Sequence, residues 1–274
     1  MTNVDNVNNK SGHNTGPDLL CINKGWMGRH MVKLDVVDST NLYVKNYEEK
    51  LQTGTVVIAK AQTAGRGRLS RGWSSPKGEG IWMSYILRPD IEPSACGGLT
   101  LVTALALTKV LKRLSGLNLQ IKWPNDIVCN GKKLAGILTE LSLKDMKTDY
   151  VVVGIGVNVS TTKFSDDISR MATSLKLEGT VCEDIDLIVK EFCEEFEKCY
   201  EAYMATGDMK LLKEEYQQLL VNIGREVCIL KDDKEFIAEA IGINDEGELL
   251  VKKESEITTI RAGEVSVRGI YGYV

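Results

Sequence analysis

An α+β fold is predicted by three features of the sequence. Runs of β-branched and apolar residues at Thr55 to Thr63, Gly80 to Leu87 and Tyr150 to Ser160 read as buried strands. Two stretches, Leu99 to Leu114 and Asp184 to Leu220, instead carry apolar residues at helical spacing. After Asn222 that spacing vanishes, and about fifty residues of short alternating segments predict a compact β-barrel of the SH3 type. A chain of 274 residues accommodates one large core with a small satellite domain. The expected divisions are a disordered tail over 1–25, a main domain over 26–221 and a C-terminal domain over 222–274.

The first 18 or so residues are rich in Asn, Ser and Gly without periodicity, which predicts disorder. Val32 to Val37 leads into Asp38-Ser39-Thr40-Asn41, a strand-to-helix junction in which any of the four is a candidate N-cap. One cap needs one residue, so the surplus hydroxyls and amide also suit a specific polar pocket, with Gln62 at the end of the next strand able to join it. A Gly/Arg-rich loop then lies between the strands at 55–63 and 80–87. Leu99 to Leu114 is apolar around most of its circumference, a core helix that Gly116 ends. Leu119 to Trp123 reads as a strand running into Pro124. Asn130-Gly131, inside Ile127 to Leu141, is a strong hairpin signal that brings Asp126 and Lys133 onto neighbouring strands. Ile185, Ile188, Phe192, Phe196, Tyr200 and Tyr203 mark one face of a helix, and Met209 to Leu220 repeats the pattern. The short strands expected beyond are Glu226 to Leu230, Glu235 to Ile243, Glu248 to Val251 and Val265 to Arg268.

A net charge of -4 argues against a general nucleic-acid-binding surface. The longest apolar run, near Thr100 to Leu107, is interrupted by Lys109 and reads as too short for a bilayer; with no signal-peptide core at the N-terminus, the cytoplasm is the expected location. Seven scattered cysteines without a C-x-x-C pair point to packing thiols rather than a disulfide framework or zinc ribbon. His13 and His30 are the only histidines, so the chemistry must run on Lys, Arg, Asp, Asn and backbone amides.

Gly65 to Trp73, GRGRLSRGW, alternates glycines that let a ligand approach the backbone with arginines whose planar forks match carboxylate and phosphate oxygens. Its arginines repel one another, which predicts a loop that stays mobile until an anion enters. Lys122-Trp123-Pro124-Asn125-Asp126 is followed by Lys133-Leu134-Ala135-Gly136-Ile137, and a lysine flanked by apolar strand residues is a candidate phosphate or carboxylate contact. Asp126 suits either a magnesium contact through water or an ion pair with Lys122. Asn158, in GVNVS, reads equally as a turn amide and as a base-reading group. No Walker A pattern is present, and Gly154-Ile155-Gly156 lacks the third glycine of a dinucleotide fingerprint.

In their order and spacing, D-S-T-N, Q-x-A-G-R-G-R-x-x-R-x-W, K-W-P-N-D, K-L-A-G-I, G-I-G-V-N-V and the closing G-E-V-S-V-R resemble the biotin protein ligase (holocarboxylase synthetase) family over roughly residues 26 to 270. The resemblance implies a mixed, largely antiparallel sheet with packed helices, similar to class II aminoacyl-tRNA synthetases, in a catalytic biotin- and ATP-binding domain. It implies that Ser39, Thr40 and Gln62 bind the ureido ring with Asn41 beside them, and that Arg66, Gly67 and Arg68 hold the activated carboxyl and phosphate. Lys133 would take the carboxylate and α-phosphate, Gly136 would belong to the same substrate site, and Trp73 and Asn158 would face the adenine. Arg68 and Lys133 are the implied catalytic residues.

The implied substrates are biotin and ATP with Mg2+, with no tightly bound metal. The implied partner is a biotin carboxyl carrier protein, such as that of acetyl-CoA carboxylase, with no specific DNA and no membrane; a homodimer through the sheet edge is left open. Two departures stand out. Leu69-Ser70 replaces a further basic residue and Gly of many relatives, and the family's DNA-binding extension is not seen, so repressor activity is not implied. A lipoate or octanoate ligase and a non-catalytic ligand sensor are the competing readings.

Overall fold

The computed structural model describes residues 19–20, 23–231, 234–262, 266–269 and 273. The expected tail, the seventh cysteine at Cys21 and residues 263–265 of the closing motif lie outside the described residues, apart from Leu19, Leu20 and the residues from 23 onward.

The main sheet is built from β1 (Leu19–Leu20), β2 (Met31–Val37), β3 (Val56–Gln62), β4 (Gly80–Leu87), β5 (Leu119–Lys122), β6 (Asp126–Cys129), β7 (Lys132–Lys144) and β8 (Lys147–Asn158). Their spatial order is β1-β2-β3-β4-β8-β7-β6-β5. All neighbours are antiparallel except β2 and β3, which run parallel because helix α1 (Thr40–Asn46) makes the crossover between them. Asn130 and Gly131 both have positive φ, 49° and 74°, as a two-residue hairpin turn demands. The β7–β8 hairpin extends further than its apolar core suggested, because Asp145 and Met146 turn it at φ 50° and 63°.

Helix α2 (Gly98–Ser115) ends where Gly116 turns left-handed at φ 73° and its N–H bonds back to Lys112 O. It is apolar nearly all round because the sheet covers one side while α3 (Ile185–Thr206) and α4 (Lys213–Leu219) cover the other. A short 3-10 turn leads straight into it, so Pro93–Ser115 is, by length and composition, long enough to cross a membrane, contrary to the sequence expectation. Its most apolar stretch is 78% buried in the fold, so that apolarity serves the core.

The predicted helix over Met209 to Leu220 is shortened to α4. Met209 N donates to Asp245 O at 2.6 Å and Lys213 Nζ pairs with Asp245 at 2.5 Å, so this segment docks on a turn of the second sheet before it becomes helical.

That second sheet comprises β9 (Arg225–Lys231), β10 (Lys234–Ile243), β11 (Leu249–Lys253), β12 (Glu256–Ile260) and β13 (Ser266–Gly269), antiparallel in the order β12-β11-β10-β9-β13. β12 escapes a sequence reading because only its last residue, Ile260, is buried, so no alternation marks it. The sheets share one apolar cluster that includes Leu105, Phe192 and Ile155 as well as Ile229, Leu249 and Val251. Trp123 fastens the junction: its Nε1 donates to Gly247 O at 3.0 Å and its backbone N to Asn222 Oδ1 at 2.9 Å. A smaller cluster, Val32, Val44, Val57, Ile86 and Val152, packs α1 on the opposite face.

Candidate active site

A cavity of about 560 Å3 opens where the ends of β2, β3, β7 and β8 meet the Gly/Arg loop and the Lys122–Asp126 turn. Ser39, Thr40, Asn41, Gln62, Arg66, Gly67, Arg68, Trp73, Lys133, Gly136 and Asn158 all line it, as does Asp126. The volume suits a ligand of cofactor size.

At one end the Asp38–Asn41 segment starts α1. Ser39 occupies the N-cap position, but its side chain makes no capping bond, so the capping reading does not hold for the hydroxyls of this segment; the first helical N–H, that of Thr40, is met by Gln62 instead. The segment forms a buried polar cluster instead, with Ser39, Thr40 and Asn41 each under 5% exposed. Thr40 N donates to Gln62 Oε1 at 2.9 Å, and the Thr40 hydroxyl lies 3.1 Å from the same oxygen. Ser84, a fully buried hydroxyl on β4, sits 2.6 Å from Thr40 Oγ1 and 2.5 Å from Asn41 Oδ1. Asn41 Nδ2 donates to Glu140 Oε2 at 2.8 Å, and Lys45 pairs with the other Glu140 oxygen at 2.9 Å. Burial works to raise the Glu140 carboxyl, but the hydrogen bonds from Asn41 and Lys45 outweigh it and hold it below its usual value. Gly154 makes room for this cluster: a Cβ there would lie 2.1 Å from Asn41 Oδ1.

The other end is cationic. Lys133 lies 2.7 Å from Asp126 and 5.1 Å from the centre of the Trp73 ring. The two lie on adjacent strands, as the hairpin predicted, and it is Lys133 that pairs with Asp126. Lys122 is directed to Tyr273 instead, with its Nζ 3.7 Å above the phenol ring and donating to the Tyr273 carbonyl. The Tyr273 hydroxyl donates to Asp126 Oδ2, and burial together with this carboxylate pushes the phenol pKa far up, so it remains a donor. Asn125 Nδ2 donates to Asp126 Oδ1 at 3.2 Å. Both Asp126 oxygens are thereby engaged. Among the described residues no three His, Cys, Asp or Glu side chains converge as metal ligands.

The Gly/Arg loop is structured. Gly67 N donates to Arg71 O, Arg71 N to Arg68 O and Trp73 N to Gly65 O, at 2.7, 3.2 and 2.9 Å. Arg68 reaches Asn125 Oδ1 at 2.9 Å and Ala262 O at 2.6 Å, so its charge is met by a side-chain amide and a carbonyl of the second sheet's region. Burial lowers its pKa, with Asp126 opposing. Leu69, one of the two departures from the family pattern, adopts φ 55° and is 67% exposed. The Trp73 ring rests on a glycine floor, since a Cβ at Gly156 would meet it at 2.5 Å and one at Gly136 at 3.0 Å. Its Nε1 is buried without a hydrogen-bond partner among the described residues.

Asn158 Nδ2 donates to Thr173 O at 2.9 Å, tying down a strap in which Lys133 N bonds Met171 O and Thr173 N bonds Lys133 O. This strap, which brings Lys163, Phe164 and Met171 to the cavity, has no periodicity and was not foreseen. Ser84, Glu140 and Tyr273 were also missed. Only Ser84 left a signal, as the single polar residue of the apolar run IWMSYIL. The six described cysteines are free thiols, and burial pushes Cys129 and Cys199 up to about 11 and Cys193 to about 12, so they act as packing groups.

Residues 34–158 match the model of the biotin/lipoate A/B protein ligase family, and 223–268 match the biotin protein ligase C-terminal domain. The bifunctional ligase/repressor BirA of Bacillus subtilis is 38% identical over 246 residues, covering 88% of this chain and 75% of that protein. The biotin–acetyl-CoA-carboxylase ligase of Paracoccus denitrificans is 30% identical over 241 residues, covering 85% of this chain and 98% of that one. Among solved structures, the biotin protein ligase of Aquifex aeolicus in complex with biotin and ATP superposes with a TM-score of 0.76 at 28% identity, covering 87% of this chain and 98% of that chain. Polar cluster, arginine loop and lysine hairpin around one cavity, matched in sequence over both parts of the chain, lead to one conclusion: the chain belongs to the biotin protein ligase family.

Proposed function

We propose that this enzyme joins biotin to ATP as biotinyl-5'-AMP and passes the biotinyl group to one lysine of a biotin carboxyl carrier protein, such as that of acetyl-CoA carboxylase. The observation that carries this reading is the polarity of the cavity: an uncharged hydrogen-bonding cluster at buried Thr40 and half-buried Gln62 faces a cationic end at Lys133 and Arg68. A ureido ring suits the first end and a carboxylate meeting a phosphate the second.

In the first half-reaction a biotin carboxylate oxygen bonds to the α-phosphorus of ATP and the bond to pyrophosphate breaks. Two anions must approach, so fixed positive potential lowers the barrier; Lys133, Arg68 and the amides around Gly67 supply it, and Arg66 extends it along the loop. Mg2+ enters with the nucleotide as part of the substrate, and Asp126 would touch it through water. Trp73 and Asn158 would border the adenine, with Gly136 allowing close approach. In the second half-reaction the neutral lysine amine bonds to the biotinyl carbonyl carbon, AMP leaves, and the amine proton passes to solvent or the leaving phosphate. The loop and the strap over Lys133 would keep water from the mixed anhydride until then.

We assign residues 26–221 to catalysis and 222–274 to a second domain whose five strands would close as an SH3-like barrel. The main sheet would be that of the class II synthetase type, and the enzyme would work in the cytoplasm without specific DNA binding. A homodimer through a sheet edge would be compatible with this assignment. The test is exchange of labelled pyrophosphate into ATP by purified protein. It should require biotin, and exchange with lipoate but not biotin would overturn the assignment.

A further inference from the structure

Lys133 and Asn158 stand on neighbouring strands that do not hold them to each other. The pairing of β7 with β8 begins at Ala135 opposite Val157 and so stops short of both residues. The strap spans the gap. Among the described residues, 159–184 between β8 and α3 form no helix or strand, and so long an irregular segment in a compact fold usually serves a function.

Thr173 is the knot of this strap. Its N–H donates to Lys133 O at 2.8 Å, its carbonyl accepts from Asn158 Nδ2 at 2.9 Å, and its hydroxyl donates to Glu178 Oε1 at 2.6 Å. Two residues earlier, Met171 O accepts from Lys133 N at 2.7 Å, so both backbone groups of Lys133 are bound by the strap. The second Glu178 oxygen accepts from Asn130 Nδ2 at 2.6 Å, in the turn that leads into Lys133. One carboxylate thus ties the strap to the hairpin, and its charge strengthens both bonds. Thr173 is β-branched and stiff about χ1, so fixing its hydroxyl also fixes the backbone that meets Lys133 and Asn158. Thr173 is 2% exposed, and neither it nor Glu178 lines the substrate cavity; both line a separate hollow behind the strap.

We propose that Thr173 and Glu178 are positioning residues for adenylation: they set Lys133 and Asn158 at a fixed separation, so that a nucleotide whose base is seated at Asn158 brings its α-phosphate to Lys133. This rests on ATP being the nucleotide and deepens that reading, because it names the groups that act through two site residues without touching substrate. None of these bonds reaches the polar cluster at Thr40 and Gln62. Cutting the link therefore acts on the nucleotide and spares biotin.

The test uses the full chain, with the KM of ATP and of biotin measured in pyrophosphate exchange and the rate of adenylate formation in a single turnover. Thr173→Val keeps the shape of the side chain and removes its hydroxyl. Single-turnover adenylate formation should slow about tenfold or more, since a displacement of about 1 Å at a reacting group can cost about 100-fold. The KM of ATP should rise at least about threefold, while the KM of biotin stays within about twofold. Thr173→Ser keeps the hydroxyl and should match the native enzyme within about twofold in all three. A role in packing alone would order the two variants the other way, because valine fills the space and serine leaves a methyl-sized void.

Glu178→Ala removes the carboxylate at a half-buried position and should act in the same direction as Thr173→Val, which keeps the test open if the valine variant does not fold. The double variant should be no slower than the slower single by more than about twofold, since both changes cut one link. Valine and alanine variants with native ATP parameters, a KM of biotin raised as much as that of ATP, or a serine variant as impaired as the valine one would each overturn the proposal. Absence of biotin-dependent exchange in the native protein would instead overturn the functional assignment.

Discussion

Lys133 and Asp126 form a partly buried pair at 2.7 Å, with side chains 25% and 13% exposed. Two roles therefore meet in one lysine. Removing it deletes an anion contact that strengthens as charge develops, a cost of about 2 to 4 kcal/mol in the barrier, or roughly 30- to 1000-fold in rate. Among the described residues it also leaves the Asp126 carboxylate with Asn125 and Tyr273 as hydrogen-bond donors, which lowers stability. Lys133→Ala should accordingly slow single-turnover adenylate formation by that range and lower the melting temperature by a few degrees. Adding Asp126→Asn should restore much of the stability and none of the rate. A single variant with normal adenylate formation would remove Lys133 from the mechanism. At this scale the sequence was informative about residue types, because Ser, Thr, Asn, Arg and Lys in motifs advertise their chemistry. It was silent on which partners hold them: nothing near Asp126 announces Tyr273, and nothing near Thr40 announces Glu140.

Elements were legible where the signal is local. Gly116 ends α2 and Asn130-Gly131 turns the β6–β7 hairpin, because positive φ is written into those residues. The strap over Lys133 was not legible, since it follows no period and is held by Asn158 and by the backbone of β7. The arginine loop shows the same limit. Its composition predicted mutual repulsion and mobility, yet the fold supplies carbonyl and amide oxygens to Arg68 from the Asn125 turn and from Ala262. Hydrogen exchange measures the balance. In the free protein the amides of Gly67, Arg71 and Trp73, which carry the loop's internal bonds, should exchange detectably more slowly than an unstructured chain, and biotin and then the adenylate should slow the whole of 65 to 73 further. Random-coil exchange at those three amides without ligand would show that the internal bonds do not persist. Full protection in every state would show a site that needs no ordering.

The whole molecule couples its two sheets through charged side chains as well as through a shared core. Arg68 of the loop bonds Ala262, while Lys122 and Asp126 of the main sheet both meet Tyr273, 147 residues along the chain from Asp126. No motif or period links positions so far apart, and only the packing of the second sheet against Trp123 brings them together. Tyr273 has a consequence for the chemistry. Its hydroxyl takes part of the Asp126 charge, leaving Lys133 less tightly held and more available to an incoming phosphate. Tyr273→Phe keeps the ring beneath Lys122 and removes only that hydrogen bond, a loss of about 1.5 to 3 kcal/mol when one partner is charged. If a fraction of it reaches the transition state, single-turnover adenylate formation should slow by about three- to tenfold, with the KM for biotin unchanged because Tyr273 is at the cationic end. A normal rate with a lowered melting temperature would mean that Tyr273 only closes the fold. A raised KM for biotin would mean that its influence reaches the polar cluster around Thr40.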